Sequence, residues 1–140
     1  MPKGGLLVLL MLFASSTAHA DTHDVFGTYL TEEQNSHVQI KECDDGSPCG
    51  VIVWLNPEML DEGVTQETAK TKAGEPVLGL TMLKGFARKK SDWRGGTIYH
   101  PGRDKTYASR LSRMENGDLE VKGCIAFICQ TQIWTPVAAD

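Results

Sequence analysis

From residue 25 onward, apolar and polar side chains alternate in short runs, the period-two pattern of β-strands. Val25–Thr31 reads as a first strand. In His37–Cys43, Val38 and Ile40 face one way and Gln39 and Lys41 the other. Cys49–Leu55 is apolar on both faces, which predicts a strand buried on both sides. Val77–Phe86 reads as one bent strand or two, because Gly79 and Gly85 weaken and bend strands. Gly96–His100, Thr106–Arg113, Leu119–Cys124 and Gln130–Thr135 complete the series. Asp45-Gly46, Pro101-Gly102 and Asn116-Gly117 each fall between two of these strands. Asn-Gly and Asp-Gly supply the positive φ angles that tight hairpin turns require. Strands joined by short turns pair with their neighbours. The expected fold class is therefore all-β. About eight antiparallel strands would run up and down and close into a small barrel, which removes exposed sheet edges.

Two segments depart from this rhythm. Asn56–Glu75 is polar, lacks a sustained apolar period and contains Pro57, Gly63 and Gly74, with a short helix expected near Glu67–Lys70. A loop of this length is a flap over a barrel mouth or a solvated connection. The solvated connection is the simpler expectation, because lengthening a loop costs little entropy. Ile125, Ala126, Phe127 and Ile128 are all apolar where a hairpin turn is normally polar. Such a tip folds back over the end of the barrel, the expectation here, or offers a contact to a partner or a membrane surface.

The first twenty residues follow a different pattern. Lys3, the apolar run Leu6–Phe13 and Ala18-His19-Ala20 fit an export signal with its cleavage site, so residues 21–140 are expected to form the mature single domain. The apolar run falls short of the roughly 20 residues that span a bilayer, and no later run approaches that length. No cysteine stands at the junction to carry a lipid. A periplasmic or secreted protein without a transmembrane segment is expected. The chain carries 14 basic and 18 acidic residues, a net charge of −4. Loss of Lys3 makes it more acidic, which argues against a nucleic-acid partner.

Export places the four cysteines where they oxidise. Cys43 and Cys49 flank one expected turn, Cys124 and Cys129 another. Residues opposed across a hairpin lie within disulfide range, which predicts the pairs Cys43–Cys49 and Cys124–Cys129. Neither spacing is that of a zinc knuckle and no C-x-x-C is present, so neither a metal site nor a redox pair is expected.

Catalytic motifs are absent: the sequence has no G-x-S-x-G, H-E-x-x-H, phosphate-binding or dinucleotide-binding pattern. Gly95-Gly96 reads as a turn before a strand, and Asp44-Asp45 as turn formers. His23 lies near the mature terminus, where chains are usually loose. An enzyme would need His37 or His100 to meet a carboxylate in a cleft. No cofactor is expected. Trp54, Trp93, Tyr99, Tyr107 and Trp134 fall in or beside strands and either pack a closed core or line a ligand cavity. Arg110 and Gln132 are candidate polar groups for such a cavity.

The runs Gly27-Thr28-Tyr29, Ile40–Cys43 and Cys49–Leu55 resemble the first half of the bacterial domain of unknown function 2147. Val77-Leu78-Gly79-Leu80, Trp93–Pro101, Lys105-Thr106-Tyr107, Leu119–Cys124 and Thr131–Thr135 are similar to its second half. The resemblance covers nearly all of the mature chain. It implies an exported bacterial protein with a small lipocalin-like β-barrel. Members commonly carry Trp where Tyr29 stands. Two functions remain in view: a non-catalytic barrel that carries or senses a small, partly apolar ligand, and an interaction or inhibitor module that contacts an envelope protein or an incoming host protein through Ile125–Ile128 and Asn56–Glu75. An internal space of about 300 Å³ or more favours the first. A lumen filled by side chains favours the second.

Overall fold

The structure is a computed structural model that describes residues 4–5, 8–13 and 21–138. The expected cleavage site at residues 18–20 lies outside these, as do Lys3 and the first two residues of the apolar run. Residues 8–13 carry no regular secondary structure and their apolar side chains are exposed.

Nine strands form one antiparallel sheet: β1 (Gly27–Leu30), β2 (Ser36–Glu42), β3 (Pro48–Leu55), β4 (Thr81–Lys84), β5 (Ala87–Arg88), β6 (Trp93–His100), β7 (Lys105–Arg113), β8 (Leu119–Ile125) and β9 (Ile128–Pro136). The ring runs β4-β3-β2-β1-β9-β8-β7-β6 and closes where β4 pairs with β6, through Leu83↔Ile98 and Lys84↔Thr97. Eight strands thus make the barrel. β5 is a short extension paired only to β6.

Local chemistry explains the turns. Between β2 and β3, Gly46 takes φ +81°, and the Asp45 carboxylate accepts from both the backbone N–H and the hydroxyl of Ser47. Those bonds hold the Asp45 carboxyl below its ordinary pKa. Between β7 and β8, Gly117 takes φ +93° and Asn116 accepts from the Asp118 N–H. In the β6–β7 turn the positive φ falls on Asp104 instead of Gly102.

Val77–Phe86 resolves into the single strand β4, preceded by a turn and followed by a kink, because Gly79 and Gly85 both adopt positive φ. Gly95-Gly96 lies inside β6 and not in a turn before it. Gly95, at φ +72°, sits where the β6–β7 register slips between Trp93 and Gly96, which is a bulge. A Cβ at Gly96 would run into the Phe86 ring, so the missing side chain is what lets the Phe86 ring pack there. The helix expected near residue 67 is only a turn anchored by Thr65, and a 3-10 turn forms earlier, at Pro57–Met59.

The core runs through the barrel and includes Ala69 of the 56–80 connection, with Leu60, Val77 and Leu80 packed against it. Val25, Val38, Leu111 and Leu119 are almost fully buried. Tyr29 packs among them. Its hydroxyl donates to the Val25 carbonyl, while the Arg113 guanidinium donates to that hydroxyl at 2.7 Å and lies over its ring. Burial raises the Tyr29 pKa, and the nearby Arg113 charge only partly offsets this.

Both disulfides form as expected. Cys43–Cys49 joins the ends of β2 and β3 (Cα–Cα 5.4 Å), and Cys124–Cys129 links directly opposed residues of β8 and β9 (Cα–Cα 4.0 Å). Loops this short should contribute about 2 kcal/mol each by the loop-entropy estimate. Reducing the protein should therefore lower its melting temperature without unfolding it at ambient temperature, as read by circular dichroism. An unchanged melting curve would show that the staples carry no stability.

Candidate functional site

One end of the barrel holds a cavity of about 810 Å³, whose wall includes the core residues Ile52, Leu55, Ala69, Met82, Val121 and Trp134. Four connections frame its mouth: β1–β2, β3–β4, β6–β7 and β8–β9. Strand alternation decides which side chains enter. On β9, Ile128, Gln130, Gln132 and Trp134 point inward; on β8, Val121 and Gly123 do so. Ile52 and Leu55 of β3, Met82 of β4 and Ile98 of β6 add apolar wall.

Trp134, only 1% exposed, forms the deep end, and its indole N–H donates to Gln132 Oε1 at 2.9 Å. Tyr99 and Tyr107 lie higher on the wall. The Tyr99 hydroxyl donates to Asp104 at 2.7 Å, and that bond raises the phenol pKa above its ordinary range. The charged lining residues, Glu33, Asp61, Lys70 and Arg103, are all exposed and stand at the rim. The interior is therefore apolar with neutral polar groups, and ionic groups occur only where water reaches them.

Of the candidate cavity residues, Tyr99, Tyr107, Gln132 and Trp134 line the space, whereas Trp54, Trp93 and Arg110 do not. Trp54 is displaced by a register slip: His37 pairs with Trp54 but Val38 with Ile52, which skips Val53. Val53 is 43% exposed, and Trp54 stacks on His37 outside the barrel with ring centroids 4.2 Å apart. β3 is thus buried on one face, not on both. Trp93 belongs to the packed end. Its indole N–H donates to the His23 carbonyl at 2.9 Å, and its ring meets the His23 ring edge-on. Arg110 lies between the buried Ser109 and Leu111 on β7, so it faces outward.

His23 is buried, not loose, and its Nε2–H donates to the Lys89 carbonyl. His100 lies at the mouth, where its Nδ1 accepts from the Arg103 N–H at 3.2 Å. Among the described residues neither His37 nor His100 is hydrogen-bonded to a carboxylate, and no group of three or more His, Cys, Asp and Glu residues is placed to hold a metal.

The 56–80 connection is more than a solvated link. Met59, Leu60, Val64, Ala69 and Val77 all line the cavity, so the flap forms part of its wall. Their scattered apolar positions within a polar run were the available signal. The 125–128 tip does not fold back. Ile125 and Ile128 reach the mouth but remain mostly exposed, and Phe127 is fully exposed.

A closed eight-stranded antiparallel barrel with one open, apolar-lined end defines a lipocalin-like barrel. The chain belongs to the family described as "Uncharacterized protein conserved in bacteria (DUF2147)", which matches residues 27–136. Among solved structures it is similar to protein HP1028 from the human pathogen Helicobacter pylori, described as belonging to the lipocalin family. That likeness has 19% identity and a TM-score of 0.64, and covers 84% of this chain and 85% of the other. At that identity the likeness concerns the fold. No curated protein matches the chain. Among the described residues no helix is long and apolar enough to cross a membrane.

Proposed function

We propose that this protein is a non-catalytic, exported binding barrel that carries or senses a small, partly apolar molecule. The observation that carries the reading is the cavity: about 810 Å³ is well above the roughly 300 Å³ at which small-ligand sites begin. Its depth is apolar and uncharged, so the buried part of a ligand is uncharged too, because an ion placed there would lose its hydration without a partner. Gln132 adds one directional preference. Its oxygen is engaged by Trp134, which leaves the amide nitrogen to donate to a ligand carbonyl, ether or carboxyl oxygen. Charged or hydrated ligand groups belong at the rim, near Lys70 and Arg103. The two disulfides and the apolar run at residues 6–13 support export.

Titration with N-phenyl-1-naphthylamine, a neutral apolar dye, tests the proposal. A saturable rise in fluorescence with one site per chain is expected. A weak rise that stays linear with dye would contradict an accessible apolar interior.

A further inference from the structure

We propose that the β8–β9 hairpin docks the cavity mouth onto a lipid bilayer, with Phe127 inserted among the headgroups and upper acyl chains. Within residues 21–138, the large apolar side chains left exposed are Val53, Met59, Val64, Ile125, Phe127 and Ile128. All but Val53 stand at the mouth end, on the β8–β9 tip or on the flap across from it. Apolar exposure concentrated on one end of a molecule marks a contact surface.

The tip is built to stay out. Ile125 pairs with Ile128, so the turn holds two residues, and Ala126 sits at φ +53°, a region that favours glycine. Cys124–Cys129 clamps the hairpin one residue pair below. Phe127 is thus held at the apex of a rigid, convex wedge. A convex apolar wedge suits a medium that deforms around it, and bilayer interfaces bind apolar side chains presented this way. The connections that frame the mouth are net acidic: Glu32, Glu33, Glu58, Asp61, Glu62, Glu67, Glu75 and Asp104 stand against Lys70, Lys72 and Arg103, all exposed, so this end gives no electrostatic pull toward anionic headgroups. The surface therefore matches a zwitterionic bilayer. Ile125 and Ile128 belong both to the tip and to the cavity wall, which joins the docked surface to the interior by a continuous apolar path. Docking is measurable whether or not the cavity is filled, so it stands or falls separately from the ligand reading.

The test is flotation with phosphatidylcholine vesicles of protein recovered from the envelope of expressing cells, with its N-terminus as those cells leave it. The wild type co-floats, the bound fraction on pure phosphatidylcholine is insensitive to raised salt, and added phosphatidylglycerol does not increase it. Phe127→Ser lowers the partition coefficient at least about tenfold, the loss expected for one large apolar side chain. Its melting curve is unchanged, because the ring is fully exposed. Phe127→Trp keeps binding and is quenched by lipids brominated in the upper acyl chain. Wild-type protein that ignores vesicles overturns the proposal, as does a Phe127→Ser protein that floats equally well, since binding would then come from another segment. A crosslink from residue 127 to an envelope protein, without vesicle binding, assigns the tip to a protein partner and also overturns it.

Discussion

Replacing Trp134 with alanine should destabilise the barrel by about 3–5 kcal/mol, as loss of a fully buried aromatic typically does. The indole is 1% exposed and sits where the packed core meets the cavity. Its removal forfeits the burial of a ring of roughly 150–250 Å². The space left cannot close easily, because the β8 and β9 walls are fixed by a continuous ladder from Leu119↔Trp134 to Ile125↔Ile128. The gap would instead merge with the cavity above it. Trp134→Phe keeps much of the packing, leaves a smaller gap and loses the hydrogen bond to Gln132, so a cost below that of alanine is expected. Urea unfolding of the two variants measures both. A Trp134→Ala protein within about 1 kcal/mol of wild type would mean that the ring is not packed as described.

Gly123→Leu should weaken saturable dye binding and leave the fold intact. Gly123 lies on the inward face of β8 and lines the cavity. A Cβ there would meet Ile98 Cγ2 at 3.7 Å and Tyr107 Cβ at 3.9 Å, which is ordinary contact. A larger side chain starting from that point takes up space at the cavity wall. Replacing glycine within a strand also removes an entropic cost of folding. The dye affinity should fall by more than about tenfold, the change that corresponds to losing one buried apolar contact surface. Unchanged affinity would place the dye somewhere other than the cavity. Gly96 provides the contrast: a Cβ there meets the Phe86 ring at a separation real atoms do not adopt, so Gly96→Ala perturbs packing and not the site.

The strand order and both cysteine pairs were legible because they rest on local rules: alternation, turn chemistry and the spacing of residues across a hairpin. Side-chain direction was less so. Gln132 and Trp134 were readable as inward partners on one face of β9, since no bulge interrupts that strand. Trp54 was not, because the slip at His37/Val38 that turns it outward arises from pairing between strands and leaves no mark in either one alone. Trp93 entered the packed end through a bond to His23, 70 residues away in the chain, and such a contact has no local signature. Tyr29 and Arg113, 84 residues apart in the chain, meet through a contact with no local signature for the same reason. The flap looked solvated because its apolar residues follow no period; they meet the cavity wall from an irregular backbone, where no period is imposed.

Native mass spectrometry of the protein recovered from the envelope of its own cells addresses the central claim most directly. An open apolar interior in a cell full of apolar metabolites should not stay empty, so the spectrum should show the chain with both disulfides closed and a noncovalent small molecule that Gly123→Leu protein retains less of. A chain that carries no small molecule and acquires none when offered apolar compounds would contradict the view that this barrel exists to hold one.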